Sequence, residues 1–501
     1  MFSKLVRLSI VTAVLAAAFV FATTALAGPE ACDTRSNNTF KKLLECVTLG
    51  GVREHQAAFQ AIADANGGTR ASGTPGYDAS VDYVVERMGA AGYNVTLSSF
   101  PFVFIPPATL QQLAPIAATY ETGAFTGTGY GEVTAAVSPV DINLVPPRAN
   151  TSGCEAADFI GFPAGSIALV QRGTCTFAAK ALNAEAAGAS AVIIFNQGND
   201  PTREGLIVGT LGGTNIVDIP VVGASFADGE ALSQTGSEAF INVDPPQVIT
   251  INNVLAESRD GDPDNIVMAG AHLDSVQSGP GINDNGSGSA ALLEVAEQMA
   301  KVKPRNKVRF AWWGAEEGGL IGSTEYVNGL SQAEKGKIAL YLNFDMVGSP
   351  NHVFFIYDGD DSDGVGAPAG PQGSAAIEKT FERYYTEYGG IPFTGTDFTG
   401  RSDYGPFIAV GIPSGGLFTG AEGVKTAAEV ALWGGTAGQQ YDPCYHLACD
   451  TYANNNDHAL DVNSDAIAYS ILQYAMNTED VNGQKGKGNF KVDPIDPLPA
   501  Q

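Results

Sequence analysis

Short apolar runs alternate with amphipathic segments through the second half of the chain. Five of these runs have the length and the continuous apolar character of buried strands. They lie at 266–271, 307–313, 338–346, 352–357 and 410–418. The intervening stretches, such as 375–388 and 465–476, place apolar residues at helical spacing. This alternation predicts an α/β fold with a mostly parallel central sheet flanked by helices, over residues 244–480.

The N-terminal part of the chain carries further patterns of the same kind. Residues 54–65 and 77–88 repeat apolar side chains at helical spacing. Residues 95–105 have the pattern of a strand, which stops at two prolines. We therefore predict that residues 28–124 form the first part of the same domain as residues 244–480.

The segment between these two parts has a different character. From about residue 108 to 245, short β-type runs alternate with glycine and proline. Its clearest elements are a strand at 166–171, a helix at 177–187 and a strand at 191–195. The segment contains no histidine, and its acidic residues are scattered. Because it lacks the donors of a catalytic site, we predict a structural or recognition role for this segment.

Composition and charge narrow the class of protein. At 501 residues, the chain is long enough for two or three domains. It has 54 acidic and 27 basic residues, which gives a formal net charge of -27. This balance argues against nucleic acid as a partner, because nucleic-acid binders need basic patches. The simplest interpretation of the acidity is a surface that favours solubility.

The first 27 residues have the pattern of a secretory signal peptide. Lys4 and Arg7 precede a mostly apolar run at 8–21, and small residues at 25–27 fit a cleavage site. An uncleaved membrane anchor is the alternative, since the uncharged run approaches spanning length. No later stretch reaches that length, so we expect a secreted protein with no stable membrane insertion after signal removal. Residues 481–501 show little periodicity and are predicted to be a flexible tail.

Six cysteines, an even number, suit an exported protein in an oxidising compartment. They fall into three local pairs: Cys32 with Cys46, Cys154 with Cys175, and Cys444 with Cys449. Local pairing is a hypothesis, because six cysteines allow fifteen connectivities. Zinc binding by cysteine is the weaker alternative, since the Cys-x-x-Cys spacing does not occur.

Candidate chemistry is concentrated at 269–289, between an apolar strand and a helical pattern. This stretch combines His272, Asp274 and Asp284 with five glycines. A soluble core has no need of that mixture, whereas a metal site does. In parallel sheets, ligands bind beyond the carboxyl ends of the strands, which is where this stretch is expected to lie.

Two adjacent carboxylates, Glu316 and Glu317, follow the next predicted strand. They would repel each other if buried without a cation. A solvated surface pair is the alternative, but the flanking tryptophans and glycines make an ordinary surface turn a poorer fit. A cation could bind one carboxylate and leave the other to hold a water and take its proton. Asp345, after a further strand, and His446 complete the set of donors.

Two histidines and three carboxylates are nitrogen and oxygen donors that suit zinc or another divalent first-row ion. A single catalytic zinc takes about three protein ligands plus water, so five donors are too many for one ion. If one carboxylate bridges, two metals receive three protein ligands each. Two metals about 3.5–4 Å apart can activate a water and polarise a carbonyl. A glutamate in reach of that water would complete a hydrolase.

This ordered set resembles the co-catalytic zinc aminopeptidases of the M28 family. The likeness extends to residues 400–407 and 443–450, and it covers most of the mature chain. The central segment, in turn, resembles a protease-associated (PA) domain over residues 125–243, with the match in 165–177, 180–184, 187–196 and 219–223. The resemblance is therefore to the secreted type that carries a PA insert. It implies a zinc exopeptidase-like fold with a small β-rich insert near the mouth of the active site.

The resemblance implies two zinc ions per chain. The implied metal ligands are His272, Asp284, Glu317, Asp345 and His446. Asp284 would bridge the two ions. His272 and Asp345 would complete one site, and Glu317 and His446 would complete the other.

Further roles follow from the same resemblance. Glu316 would be the general base, and Asp274 would hydrogen-bond and orient the ligand His272. Asp461 and Asp465, four residues apart, are similar to a calcium site in some relatives. An acidic cluster near a helix N-terminus is the alternative interpretation of that pair.

The resemblance also implies roles around the fifth ligand. Tyr445 would help stabilise the oxyanion, and Arg401 would orient the substrate-binding region. A Cys444–Cys449 disulfide would brace the loop that carries His446. The alternatives are that Tyr445 only packs against its neighbours and that Arg401 only forms a structural ion pair.

The sequence thus predicts a secreted dizinc aminopeptidase that acts on the N-termini of peptides or proteins. Two alternatives remain open. A carboxypeptidase or a glutaminyl cyclase-type enzyme would use the same scaffold on another substrate. A metal-free binding protein that carries a PA insert is the alternative from a different class, although no ligand position is lost here. Side-chain preference and oligomeric state do not follow from the sequence.

Overall fold

The computed structural model of the protein describes residues 32, 34–364, 366–388 and 390–484. The predicted signal peptide at 1–27 and residues 485–501 of the predicted tail lie outside the described residues. Within the described part of the chain, no helix is both long enough and apolar enough to cross a membrane.

Two separate sheets contain the strands. In chain order the strands are β1 (Asn94–Phe104), β2 (Thr109–Ala114), β3 (Ala118–Tyr120), β4 (Gly131–Pro139), β5 (Ile167–Gln171), β6 (Ala191–Phe195), β7 (Val221–Ala224), β8 (Glu238–Val243), β9 (Gln247–Glu257), β10 (Asp262–His272), β11 (Asn306–Trp313), β12 (Ile338–Phe344), β13 (Phe355–Tyr357), β14 (Thr394–Thr396) and β15 (Ser414–Phe418).

Helices flank both sheets. From residue 35 onward the α-helices are α1 (Phe40–Leu44), α2 (Leu49–Ala65), α3 (Pro75–Ala91), α4 (Phe177–Ala186), α5 (Phe226–Leu232), α6 (Gly286–Met299), α7 (Ile321–Gly329), α8 (Gln332–Lys335), α9 (Ser374–Tyr388), α10 (Tyr404–Ala409), α11 (Ala427–Trp433), α12 (Asp457–Met476) and α13 (Glu479–Asn482). The first three each begin after a threonine, Thr39, Thr48 or Thr74, whose side chain accepts a hydrogen bond from the first helical turn.

The larger sheet has eight strands in the order β1-β9-β11-β10-β12-β15-β13-β14. Its centre, from β11 through β10 and β12 to β15, is parallel, whereas the β1–β9 and β13–β15 pairs are antiparallel. All seven residues of β12 are buried, as expected for a parallel strand covered on both faces. Helices α2, α3, α6 and α12 pack on one face, and α7 and α10 pack on the other. The predicted α/β fold with flanking helices is confirmed.

The smaller sheet forms the β-rich insert, in the order β3-β2-β8-β4-β5-β6-β7. It has two hydrophobic cores of its own, one on each face, with α4 and α5 packed against it. The predicted start of this insert at residue 125 is too late. Strand β2 pairs with β8, and β3 pairs with β2, so the second sheet already begins at Thr109.

The C-terminal boundary also differs from the prediction of a flexible tail from residue 481. Helix α13 ends at Asn482, and Val481 is buried with 7% of its surface exposed. Its side chain lies against Gly373 at the start of α9. Val481 is therefore part of the packed domain, and helix α13 continues to Asn482.

Three disulfides connect the local cysteine pairs. They join Cys32 to Cys46, Cys154 to Cys175, and Cys444 to Cys449. The first ties the N-terminal segment to the start of the helices, the second lies in the insert, and the third closes a short loop beside the large sheet. Local pairing is the arrangement present among the described residues.

His55 on α2 makes the stability of the domain sensitive to acid. The ring is 1% exposed, and its Nδ1 lies 2.8 Å from the Tyr83 hydroxyl. Burial and the nearby Arg87 guanidinium lower the pKa of His55 to about 3. Glu297 lies 3.9 Å from Nε2, but its carboxylate already binds Arg87 at 2.6 Å, so burial dominates. The folded protein therefore holds this imidazole in its neutral form.

We expect the free energy of unfolding to fall as the pH drops from about 6.5, because the unfolded chain then binds a proton at His55 that the folded chain does not. At about 1.4 kcal/mol per pKa unit, the loss by pH 4 is on the order of 3 kcal/mol. Urea denaturation of the wild type and His55→Gln at pH 7 and pH 4 measures it. The variant should lose less stability between the two pH values; equal losses would contradict the assignment.

Candidate metal centre

The predicted donors meet at one edge of the large sheet. His272 is the last residue of β10, and Asp345 directly follows β12. Glu316 and Glu317 come three and four residues after the end of β11. Because these three strands are parallel neighbours, their carboxyl ends lie side by side. The fold therefore brings together residues that are far apart in the sequence.

The loop between β10 and α6 is folded back onto the sheet by a buried arginine. Arg70, 0% exposed, donates hydrogen bonds to the carbonyl oxygens of Leu273, Pro280 (2.9 Å) and Gly281 (2.6 Å). Gly281 has a φ of 60°, and a Cβ atom there would collide with the carbonyl oxygen of Asp284. The tight turn thus places Asp284 beside the end of β10.

A second buried side chain fixes the same loop. Asp450 accepts hydrogen bonds from the backbone N–H groups of Asn283 (2.8 Å) and Asp284 (2.9 Å). The Asn283 side chain donates to Asp442 at 2.7 Å. Burial, with the negative charge of Asp442, raises the pKa of Asp450 to about 8. The position of Asp284 is therefore set by hydrogen bonds from the chain segment that also carries His446.

Asp284 lies between the two histidines. Its Oδ1 is 3.2 Å from His272 Nε2, and its Oδ2 is 3.2 Å from His446 Nε2. Each histidine also approaches a second carboxylate, with Asp345 Oδ1 3.3 Å from His272 Nε2 and Glu317 Oε2 3.1 Å from His446 Nε2. One carboxylate is thus shared by two sets of nitrogen and oxygen donors.

These separations fit zinc. Ligand bonds of about 2.0–2.1 Å in a tetrahedral site place donor atoms about 3.3 Å apart, and the four measured distances run from 3.1 to 3.3 Å. Two buried oxygens, Glu317 Oε1 and Asp345 Oδ1, accept no hydrogen bond from any described residue. Unpartnered buried carboxylate oxygens are costly unless a cation compensates them. The residues present therefore fit a pair of divalent ions.

Electrostatics supports the same interpretation. Burial raises the pKa of Glu316 well above its usual range. Burial and the neighbouring Asp284 charge raise the pKa of Glu317 to about 7. For His446, burial lowers the pKa, but hydrogen bonds to Asp284 and Glu317 outweigh it and raise the value to about 10. Four carboxyl groups crowded into one buried site favour bound cations over a charged, metal-free arrangement.

Glu316 is further from His272 than the other acids are. Its Oε2 lies 3.9 Å from His272 Nε2, against 3.2 Å for Asp284 and 3.3 Å for Asp345. His272, Glu316 and Asp345 also form a group whose donor atoms all lie within 4.8 Å of one another. Glu316 is therefore at the edge of the donor cluster, close enough to reach a small molecule bound there.

Asp274 contacts both His272 and Glu316. His272 Nδ1 lies 3.0 Å from the backbone oxygen of Asp274 and 3.6 Å from its Oδ1. That Oδ1 accepts a hydrogen bond of 3.2 Å from the backbone N–H of Glu316. The main partner of the imidazole is thus a carbonyl oxygen, which the sequence did not predict, and the carboxylate holds the loop that carries Glu316.

His446 belongs to the loop closed by Cys444 and Cys449, and its φ is 59°. The Tyr445 ring stacks on its imidazole with centroids 3.8 Å apart. Arg401 donates to Glu422 at 2.7 Å and to the Tyr445 hydroxyl at 3.2 Å. The structure places the Tyr445 ring against His446 and the Arg401 guanidinium against the Tyr445 hydroxyl, and it adds Glu422 as the partner of the guanidinium.

A cavity of about 150 Å³ opens onto these donors. One end is lined by Asp284, Glu316, Glu317, Asp345 and His446. Tyr445, Arg401 and Ser402 line its side, and the remaining wall mixes apolar side chains with one further acid. A volume this small, below the roughly 300–1,000 Å³ of ligand pockets in general, suits a single residue of a substrate.

The sequence did not predict three side chains that contact the donors or the loop that carries Asp284. Ser402 donates to Asp345 Oδ2 at 2.5 Å, while Arg70 and Asp450 fix the loop of Asp284. Ser402 and Asp450 lie in the two stretches, 400–407 and 443–450, that resemble the M28 family. Those stretches were the available signal, but they did not show which side chain acts.

Other candidates lie outside the cluster. His55 and His352 are buried elsewhere, and burial lowers the pKa of both. Among the described residues, Asp461 and Asp465 belong to no group of three or more acidic, histidine or cysteine side chains that could hold an ion. Calcium at that pair therefore stays a prediction.

Known proteins share the fold and the sequence features described above. The model of the "Peptidase family M28" matches residues 253–471, and that of the "PA domain" matches residues 140–232. An aminopeptidase of Pseudomonas aeruginosa is 51% identical over 452 residues, covering 88% of this chain and 84% of the relative. A probable lipoprotein aminopeptidase of Mycobacterium tuberculosis, LpqL, is 44% identical, covering 87% of each chain. Leucine aminopeptidase 2 of Trichophyton rubrum is 46% identical over 351 residues, 69% of each chain.

Solved structures show the same fold. BSAP, a zinc aminopeptidase from Bacillus subtilis, has a TM-score of 0.59 at 26% identity and covers 85% of this chain and 95% of its own. An aminopeptidase from Aneurinibacillus sp. strain AM-1 has a TM-score of 0.53 at 27% identity. The match covers 92% of this chain and 99% of that structure. The fold and the donor set together identify the protein as a zinc-dependent aminopeptidase. The chain belongs to peptidase family M28 and carries a PA domain.

Proposed function

We propose that the protein is a secreted dizinc aminopeptidase that removes N-terminal residues from peptides and proteins. The observation that carries this proposal is the position of Asp284, with one carboxylate oxygen 3.2 Å from each of two histidines. Because each oxygen faces a different histidine, an ion beside each histidine would use its own oxygen of Asp284, and two ions would use both.

Five side chains would hold the metals. His272, Asp345 and one oxygen of Asp284 would form one site, and Glu317, His446 and the other oxygen of Asp284 would form the second. Zinc ions bound there supply a Lewis acid for the scissile carbonyl and lower the pKa of water toward about 7.

Glu316 would act as the general base. It lines the cavity next to the donors, and burial keeps its pKa well above the usual range. A carboxylate with a raised pKa takes a proton from water more readily than a surface glutamate does. The proton held at its Oε atom would then pass to the amine of the leaving peptide.

Tyr445 and Arg401 would bind the substrate at the side of the cavity. Burial raises the pKa of Tyr445, so the hydroxyl keeps its proton and can donate to the oxygen that becomes negative. The bond from Arg401 to the same hydroxyl and its ion pair with Glu422 fix the orientation of the phenol.

The cavity also accounts for exopeptidase action. It has room for about one residue, and its metal-binding end is lined by carboxylates that attract a free N-terminal ammonium. A blocked N-terminus would bring a neutral, bulkier group into the same space. These two features favour an aminopeptidase over a carboxypeptidase, which would need a cation for the substrate carboxylate, because the guanidinium of Arg401 is already paired with Glu422.

We further propose that residues 28–108 and 244–480 form one catalytic domain around the PA insert. Three disulfides and the predicted signal peptide at 1–27 support export. Calcium at Asp461 and Asp465 stays part of the proposal, supported by the spacing of these two acids and its similarity to a calcium site in some relatives.

Peptides with free and with acetylated N-termini test the reaction class. We expect release of the first residue from the free peptide and at least a hundredfold slower cleavage of the acetylated one, because the blocked amine loses its charge and gains bulk. Liquid chromatography of the products measures both. Equal cleavage of the two peptides would refute the aminopeptidase, and cleavage at the other end would favour the carboxypeptidase. A purified protein with less than about one zinc per chain and no activity after metal addition would favour the binding protein.

A further inference from the structure

One part of the cavity wall is apolar. Met346, Tyr357 and Phe418 line it. Tyr357 stacks on the Phe398 ring with centroids 5.2 Å apart and an interplanar angle of 6°, and it meets the Tyr404 ring edge at 4.8 Å. Because the aromatic side chains are held by one another, this wall can receive the methylene groups of a substrate side chain without rearrangement.

One further acidic residue, Asp397, lines the same cavity. Asp397 directly follows β14, which pairs in parallel with β13 at the edge of the large sheet. The strand end is fixed by a 2.8 Å hydrogen bond from the Asp358 N–H to the Thr396 carbonyl. A Cβ atom at Gly366, whose φ is 83°, would overlap the Asp397 carboxylate. The backbone of Gly366 therefore packs directly against that carboxylate.

Among the described residues, no basic side chain forms an ion pair with Asp397. Across the described ranges, its carboxylate makes no hydrogen bond or ion pair. Arg401, which lines the same cavity, is already bound to Glu422 at 2.7 Å. Lys379 lies 3.4 Å from Asp360, and Lys425 donates to the His352 carbonyl at 2.6 Å. The cavity thus presents an acidic group without a cation, next to an apolar wall.

We propose that Asp397 gives the enzyme a preference for substrates whose first residue is lysine or arginine. This inference rests on the aminopeptidase function proposed above, because it assumes that the first side chain enters the cavity while the amine and the carbonyl lie at the metal-binding end. The methylene stem packs on Met346 and Tyr357, and the charged head reaches Asp397. A charge-assisted hydrogen bond in a partly enclosed site is about twice as strong as a neutral one.

Apolar first residues remain substrates in this arrangement. Leucine or norleucine uses the same wall and leaves Asp397 facing solvent, since this residue is only partly buried. The role of Asp397 is therefore to set the ratio between basic and apolar substrates of similar length, and lysine and norleucine form the appropriate pair.

The test is kcat/KM for lysyl and norleucyl p-nitroanilides with the wild type and Asp397→Asn. In the wild type, the lysine substrate should have the higher kcat/KM. In the variant, the ratio of lysine to norleucine should fall about tenfold, while the norleucine value stays within twofold. Asp397→Lys should lower the ratio further and raise the rate for a glutamyl substrate, because the charge of the wall is then reversed.

Asp360→Asn is the matched control, since Asp360 is an exposed acid on the neighbouring loop that does not line the cavity. It removes one negative charge from the same face and should leave the ratio unchanged. A ratio that changes less than twofold in Asp397→Asn, or falls equally in Asp360→Asn, would overturn the proposal. Failure of the wild type to cleave either substrate would instead refute the proposed aminopeptidase, so the two failures are distinguishable.

Discussion

Glu316→Gln should lower kcat by a factor of about 10² to 10⁴, the usual contribution of a positioned general base. The amide has nearly the same shape as the carboxylate but cannot take a proton from water. Glu316 lies 3.9 Å from His272 Nε2, whereas Asp284 and Asp345 lie at 3.2 and 3.3 Å. We therefore expect the variant to keep its zinc. Steady-state kinetics on leucyl p-nitroanilide and metal analysis of the same sample measure both quantities.

Two further variants separate the role of base from the other roles in the cluster. Glu317→Gln removes a donor that lies 3.1 Å from His446 Nε2, so activity and zinc content should fall together. Glu325→Gln changes an exposed acid on α7 and should leave both unchanged. Normal turnover by Glu316→Gln would show that another group takes the proton. Loss of zinc in that variant would show instead that Glu316 is a ligand.

Several of the clustered donors could be predicted because their positions are tied to local pattern. A parallel strand that is buried on both faces has a continuous apolar run, and the polar residue at its carboxyl end is then conspicuous. His272 ends β10 and Asp345 follows β12 in this way. Neighbouring strand ends share one edge of the sheet, so these two residues could be placed together from the order of strands and helices. His446 follows no strand, and the resemblance to the M28 family added it to the set.

The supporting residues could not be predicted by the same argument. Asp450 binds the backbone of Asp284 from 166 residues away, and Arg70 binds Gly281 from 211 residues away. No local pattern indicates such a contact, because a buried arginine or aspartate has the same sequence surroundings as an exposed one. The early start of the insert was missed for a related reason: β2 is assigned by its pairing with the distant β8.

The wall of the cavity depends on elements that are too short to leave a pattern. Strands β13 and β14 have three residues each, which is below the length at which apolar periodicity is informative. Asp397 directly follows β14, and it lines the cavity. Side-chain preference therefore requires the structure, whereas the reaction class does not.

Asp284→Asn should remove the activity and reduce the zinc content from about two ions per chain to one or none. An amide has only one oxygen donor, so it cannot replace a carboxylate that faces both histidines at 3.2 Å. Both sites would lose a ligand from a single substitution, and the effect should exceed the 10- to 100-fold change that partners of metal ligands produce. Metal analysis after dialysis against buffered zinc gives the stoichiometry, and the zinc dependence of the melting temperature gives the affinity.

Asp274→Asn is the matched comparison for that variant. Its carboxylate lies 3.6 Å from His272 Nδ1, on the side of the ring away from the shared carboxylate, and holds the Glu316 N–H. We expect this variant to bind two zinc ions with about 10- to 100-fold weaker affinity. The two substitutions make the same chemical change on opposite sides of His272. The difference between their zinc affinities therefore measures what Asp284 contributes as a ligand shared by both sites. If Asp284→Asn bound two ions as tightly as the wild type, Asp284 would not join the two sites, and the two donor sets would be independent.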